Sequence, residues 1–426
     1  LVNAFVWPAL ARLTLRLSVL TLGLFGLVLN ALLVGLVMLA MPWVTIAGLT
    51  EAAVISVVLA VSTSLLSSLL AIDEDSTWYL NVVQSQLRRR GDFTSTDEPG
   101  FLFLEIDGLA HEVLRRALVS GNAPAMARWV RSGEYALRRW ETDWSSQTGA
   151  CQAGILHGDN RDMPAFRWWE KEGGRALVTN HPRDAAEIER RHSDGRGLLA
   201  DDGASRANIL SGDAAHSLLT MSTVLTPRGQ IGRDYAAYFA RPYGVLKTIL
   251  HTVLEIVRER RSAFHQRIAG IEPRIHRSWT YAAMRAWATV IQLDLQVAAV
   301  VGDMLAGRPA IYTTFLAYDE VAHHSGIERP ETLDTLRKVD HQIWRIARIA
   351  ALAPRPYRLV VLSDHGQSQG ATFRQRYGET LEEVVRDGIA GAAADGRPRD
   401  PDRPDEQEGE ANPRAYLSAS FEEASH

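Results

Sequence analysis

Residues 358–366 read RLVVLSDHG. Four apolar residues, 359–362, have the length and composition of a short buried strand, and the run stops abruptly at Ser363, Asp364, His365 and Gly366. A carboxylate and an imidazole side by side at the end of a buried strand are costly unless something satisfies them. In an open α/β sheet the C-terminal strand end is also where ligands bind. A divalent cation would satisfy both groups, because Asp oxygen and His nitrogen are ordinary zinc ligands. Taken alone, the same pair is better read as a helix N-cap Asp followed by a surface His, so the metal reading depends on whether other strand ends repeat it.

Two do. Residues 101–106 form a short apolar run that ends in Asp107-Gly108, and residues 310–316 form a β-type run that leads into Tyr318-Asp319 and, four residues on, His323. Asp and His at that spacing share one face of a helix, which suits one ion. Between them, residues 144–158, WSSQTGACQAGILHG, predict a turn that feeds a helix N-terminus, a place that favours a phosphate-like anion. Thr148 there is a candidate nucleophile if a metal lowers its pKa; taken singly it is an N-cap. Helices are predicted over 110–120, 124–131, 245–258 (amphipathic), 279–305 (long and apolar, packing across a sheet) and 336–352. Alternation of such runs with strands defines an α/β domain. Residues 180–235 read as loops and short elements over the site, 274–277 as a basic loop, and 398–413 as a disordered excursion.

The 426 residues carry a net charge of −4 and a pI near 6.4, which gives no nucleic-acid surface. A single cysteine, Cys151, excludes an internal disulfide framework and a cysteine zinc cluster. Residues 1–72 are almost uncharged: 17–41 and 52–72 are runs of about the twenty residues that span a bilayer, and together they predict a transmembrane hairpin. Arg12 and Arg16 precede it and Arg88, Arg89 and Arg90 follow it, so both flanks and the large domain are expected on the cytoplasmic side of a bacterial plasma membrane. Residues 73–99 are expected to be a linker and 100–426 the soluble domain. The chain begins without Met and is expected to be a fragment.

The succession EIDG, SSQTGACQAGILHG, YDEVAHHSG and LSDHG resembles the alkaline phosphatase superfamily, nearest to its type I phosphodiesterase and nucleotide pyrophosphatase branch, over residues 101–370 or so. The N-terminal hairpin resembles, more weakly, a phage-holin-like membrane segment. The resemblance implies an alkaline-phosphatase-like sheet with helices on both faces and two divalent metal ions, zinc in the family. One ion would be held by Asp107, Thr148, Asp364 and His365, with the Thr148 oxygen as nucleophile. The other would be held by Asp319, His323 and a late third His. His426 sits in a polar tail, so that ligand and the C-terminal part of the domain are expected beyond residue 426. Asn160 is assigned to a phosphate oxygen, although it lies closer to Thr148 in sequence than the family pattern expects. His111 and His157 are expected to be structural, His324 to be solvated or to support a ligand, and Cys151 to be a small buried residue.

These expectations describe a membrane-anchored phosphoesterase with a phosphate-ester substrate, acting on a phosphodiester or pyrophosphate bond. A headgroup transferase or phosphonate hydrolase with the same metals is the alternative within enzymes. A holin-like membrane protein with a non-catalytic domain is the alternative outside them.

Overall fold

The computed structural model describes residues 94–225 except 143, and 244–394 except 272–274, 276 and 372, with a few isolated helical positions between 32 and 62. The expected transmembrane hairpin, most of the expected linker and the 398–413 excursion lie outside the described residues. Residues 94–98, placed with the linker by sequence, run along the domain: Thr94 N donates to Ala306 O at 2.8 Å and Thr96 N to Pro354 O at 3.1 Å.

The centre is a five-stranded sheet in the order β5-β4-β6-β1-β7, parallel at every pairing. Its strands are β1 (Gly100–Ile106), β4 (Ala204–Arg206), β5 (His216–Leu218), β6 (Ala310–Phe315) and β7 (Tyr357–Leu362). A separate antiparallel hairpin joins β2 (Arg167–Glu170) to β3 (Arg175–Val178). Parallel strands need crossover helices, and these lie on both faces of the sheet, as the α/β reading requires.

Alternation along β1 decides which helices go where. Leu102, Leu104 and Ile106 point into one core with α1 (His111–Ser120), α2 (Pro124–Ser132), α7 (Leu293–Ala306) and α9 (Pro330–Ala350). Phe103 points the other way, with Tyr312 of β6, into a core built by α3 (Thr148–His157) and α4 (Pro182–His192). Ile106 pairs with Phe315 and Glu105 with Leu362, so β6, β1 and the edge strand β7 end side by side; β7, expected from its apolar run to be a buried strand, is only half-buried because one of its edges is unpaired in the sheet among the described residues.

The remaining elements complete the helical shell. α5 (Gly244–Ile268) is followed by α6 (Trp279–Ala286), a π-helical turn over Trp287–Gln292 that leads into α7, α8 (Ala317–Ser325) after β6, and α10 (Phe373–Tyr377) and α11 (Leu381–Ala394) after β7. The stretch Trp279–Ala306 is long and apolar enough to cross a membrane, but 78% of its most apolar window is buried, and it is a core element, as its sequence predicts.

Two expectations need correction. The short elements expected over 180–235 do more than cover the site: among the described residues they are α4 and two three-residue strands of the central sheet. β4 escapes a hydrophobicity reading because two of its three buried side chains, Ser205 and Arg206, are polar and meet partners elsewhere in the chain, and β5 is only three residues long with one buried apolar side chain, Leu218. Arg206 of β4 makes a forked pair with Asp303 of α7, Nε and Nη2 each 2.7 Å from a carboxylate oxygen, and Ser205 Oγ lies 3.1 Å from Thr220 Oγ1. Arg277, read as part of a basic loop, is buried, with Nε 3.3 Å from Glu259 Oε1 and Nη1 donating to Ser325 Oγ at 2.8 Å.

A side chain from α9 caps α2. The Asp340 carboxylate, buried, accepts from Ala125 N at 2.9 Å and from Met126 N at 3.0 Å. Asp340→Ala leaves both amides buried without a partner, and we predict a loss of about 2 kcal/mol in urea unfolding. Asp340→Asn should recover part of it, because one amide oxygen still accepts.

Candidate active site

Each of the three adjacent strand ends delivers an acid. After β1 the chain turns at Gly108, whose φ of 68° lies in the left-handed region. A Cβ there would also fall inside the Asp319 carboxylate, so the position requires glycine twice over. Gly108 N donates to Asp364 Oδ1 at 3.3 Å and Leu109 N to Ser363 Oγ at 3.0 Å, which ties the β1 turn to the β7 end.

Thr148 is the first residue of α3. The Gln147 side chain caps the helix by accepting from Gly149 N at 2.8 Å, and Ser146 is held at φ 41° in the turn before it. One turn further on, the Gln152 amide donates to Glu105 at 3.1 Å and to Thr314 Oγ1 at 2.9 Å, while Gln152 Oε1 accepts from Ile209 N at 2.8 Å. Small residues at 149, 150 and 153 let the helix press on its neighbours; a Cβ on Gly149 would lie 2.7 Å from the Thr179 side chain. The helix start is thereby set against the ends of β1 and β6.

The result is a compact cluster. Thr148 Oγ1 donates to Asp107 Oδ1 at 3.1 Å and lies 3.2 Å from His365 Nε2. His365 Nε2 is 3.3 Å from Asp107 Oδ1 and 3.7 Å from Asp364 Oδ2. Beside it, His323 Nε2 lies 3.1 Å from Asp319 Oδ2, one helical turn apart on α8 as the spacing predicts, with the His323 side chain 61% exposed. The amide of Gln367 donates to Asp319 Oδ1.

Electrostatically this arrangement is short of positive charge. Burial pushes the Asp107 carboxyl well above the ordinary carboxylate range, and the charges of Asp364 and Asp319 push it further. Glu105, two residues earlier, is raised by burial and then by Asp364 and Asp107. Burial also raises Asp364, although the His365 charge pulls against it. Burial raises Asp319 too, but the hydrogen bond and charge of His323, with the Gln367 amide, leave it below its usual value. The Asp319 hydrogen bond correspondingly raises His323.

Two observations fit a cation. Asp364 Oδ2 is buried without a hydrogen-bond partner among the described residues, and Asp107, Asp319 and His365 offer ligand atoms that all lie within 4.8 Å of one another. Carboxylate and imidazole together make a donor set for zinc or a similar divalent ion.

Of the residues singled out by sequence, Asp107, Thr148, Asp364 and His365 converge, and Asp319 with His323 stands beside them. Asn160 follows the C-terminal end of α3, and its side chain lies alongside Gly154, with Nδ2 3.6 Å from where a Cβ would stand there. His157 pairs with Glu189 at 3.1 Å, His111 lies on Glu112 at 3.3 Å, His324 stacks on Tyr281 at 4.0 Å between ring centroids, and Cys151 is buried. Sequence reading passed over Glu105, Gln152 and Gln367. A signal existed for two of them: Gln152 falls four residues after Thr148, and Gln367 two after His365.

A parallel sheet whose adjacent strand ends present acids and a His beside a hydroxyl at a helix start is the arrangement of the alkaline phosphatase superfamily. The family model described as type I phosphodiesterase / nucleotide pyrophosphatase matches residues 101–420, and the chain belongs to that family. Residues 1–65 match the model described as Mycobacterial 4 TMS phage holin, superfamily IV. No curated protein matches the chain.

If a cation balances the crowded acids, removing one acid has opposite effects with and without metal. Asp364→Asn is expected to leave the chelator-treated protein at least as heat-stable as the native sequence, because a raised carboxyl is relieved. The stabilisation produced by adding zinc back should shrink. Equal zinc-induced shifts in the two proteins would remove Asp364 from the ligand set.

Proposed function

We propose that the chain is a membrane-anchored, metal-dependent phosphoesterase that cleaves a phosphodiester or pyrophosphate bond through a phosphothreonine at Thr148. The observation that carries this reading is the Thr148 hydroxyl held between Asp107 and His365 at the start of a buried helix. Membership of the phosphodiesterase family supports the hydrolase class, and the holin-like match supports association with a membrane.

On this reading Asp107, Thr148, Asp364 and His365 hold one divalent ion, and Asp319 and His323 contribute to a second, with zinc favoured by the donor set. When bound, the ions would supply the positive charge that favours the ionised Thr148 oxygen and offsets charge building on the phosphoryl group. The protein's own groups do the rest. Thr148 Oγ1 already donates to Asp107 Oδ1, so its proton has an acceptor when the oxygen turns nucleophile. Attack forms the Oγ–P bond and breaks the bond from phosphorus to the leaving oxygen; water then attacks phosphorus and returns Thr148 to its hydroxyl form. The N-terminus of α3 favours the anionic group throughout.

The domain organisation proposed with this function is a membrane segment over 1–72, a linker over 73–99 and the hydrolase over 100–426. The basic residues flanking the apolar runs favour a cytoplasmic hydrolase. A reporter active only outside the cytoplasm, inserted at residue 100, should stay silent, and a bright signal would reverse the orientation.

The decisive variant is Thr148→Ala in the full chain. Hydrolysis of bis-p-nitrophenyl phosphate should fall by on the order of 10⁴ or more, while bound metal is largely retained. Acid quenching should trap phosphothreonine in the native sequence but not in the variant. Undiminished turnover in Thr148→Ala would rule out the nucleophile.

A further inference from the structure

Helix α5 is inside out. Its two acids, Glu255 and Glu259, are fully buried, where Arg285 Nη2 lies 3.0 Å from Glu255 and Lys338 Nζ 2.6 Å from it, and Arg277 pairs with Glu259 at 3.3 Å. Its opposite face exposes Ile249, Val253, Val257, Phe264 and Ile268, with Val257 57%, Phe264 60% and Ile268 69% exposed. At about 100° per residue these five fall within an arc of about 100° centred opposite the buried acids. A surface helix of a water-facing protein has the reverse arrangement, and an exposed apolar face of this kind, crossed once by Arg260 between Val257 and Phe264, marks an interaction surface.

The helix's arginines give its outer side one sign of charge: Arg258 and Arg261 flank the apolar face, Arg260 and Arg267 fall on it, and the helix's acids are withdrawn into the protein. Next to the helix, exposed Trp279 lies under the Arg260 guanidinium, 4.7 Å from the ring centroid. An apolar stripe edged by arginines, with an exposed tryptophan beside it, is the make-up of a helix that lies in the headgroup layer of an anionic membrane.

We infer that the outward face of α5 docks on the surface of the bilayer. This rests on the membrane-anchor reading, because the two uncharged runs before residue 73 keep the domain beside a bilayer, and residues 73–93 give it a reach of up to about 70 Å. Docking also orients the catalytic cluster. Thr248 of α5 donates to Asp294 at 2.9 Å, at the start of α7, whose far end Ala306 lies under the N-terminal ends of the strands. Ser262 of α5 donates to Glu331 at 2.8 Å, in the first turn of α9. Both contacts lie at the C-terminal end of the sheet, and Tyr281 of α6 stacks on His324, the neighbour of His323. The docking face and the catalytic cluster share one end of the domain, so the substrate drawn to it is a phosphoester carried at the membrane surface.

The buried Cys151 is the chain's sole cysteine, which permits single-site labelling. The full chain carrying Val257→Cys, labelled with an environment-sensitive dye and reconstituted in vesicles of phosphatidylcholine and phosphatidylglycerol, should lose about half its fluorescence to nitroxide-bearing lipid. Val119→Cys on α1, 88% exposed and at the other end of the sheet, is the control and should be little quenched. Ile268→Cys, near the helix end, is a second reporter if the first variant misfolds. Replacing phosphatidylglycerol by phosphatidylcholine should weaken the quenching. Equal quenching at 257 and 119 in protein that floats with the vesicles overturns the inference. Protection that depends on protein concentration instead of lipid also overturns it, and assigns the face to a second copy. Failure to float overturns the anchor and the docking together. Hydrolysis of bis-p-nitrophenyl phosphate, followed in the same samples, reports separately on the phosphoesterase reading.

Discussion

The constraint on which the structure depends is the crowding of like charge at the end of a buried parallel sheet. Asp107, Asp319 and Asp364, with Glu105 beneath them, are brought together by three strands that stop in register. Like charges in a dry site repel, and a water-soluble protein gains no stability by placing them there. The surrounding residues are chosen to hold the acids in place despite this cost. Glycine at 108 lets one carboxylate lie on another's backbone, Gln367 and His323 grip Asp319, and Gly108 N and His365 meet Asp364. The Glu105 carboxylate, deepest of the four, is held by Gln152 and by the Tyr312 hydroxyl. Such an arrangement suits a positively charged ligand.

Beneath the acids the sheet is polar to an unusual depth. Asn208 donates to Ser205 Oγ at 2.7 Å and accepts from Thr314 Oγ1 at 2.7 Å, Gln296 donates to Thr313 Oγ1 at 2.6 Å, and Arg206 is locked to Asp303. Satisfied networks of this kind fix one arrangement where apolar packing tolerates several. They connect α3, β4, β6 and α7, and the Thr148 hydroxyl is positioned from that base through Gln152, one turn down the same helix.

Much of this was legible in the sequence, and the reason is local. β1, β6 and β7 are apolar runs with abrupt polar ends, so their strand character and their functional ends appear together, and the four-residue step from Asp319 to His323 shows directly on α8. The remainder depended on distant partners. β4 was not recognised as a strand of the central sheet because Ser205 and Arg206 become core residues only when Thr220 and Asp303 meet them, and β5 was too short to stand out. Arg277 read as a surface cation for the same reason, since Glu259 and Ser325 are remote in the chain. The amphipathic character of α5 was visible, but which face turned inward was not, because a charge pattern does not say whether opposite charge is waiting inside. Asn160 was assigned from the family resemblance despite its short spacing from Thr148, and its side chain lies beside Gly154 of the same helix.

The pairing of β1 has a consequence for how the protein is made. Phe101 is paired with Ala310 on one side and Arg358 on the other, so the first strand of the sheet synthesised has its partners more than two hundred residues away. Such long-range closure is slow and leaves an apolar strand uncovered while the chain is still growing. β7, which also delivers Asp364 and His365, comes last. Folding of the last strand therefore sets the moment at which the acids are first brought together.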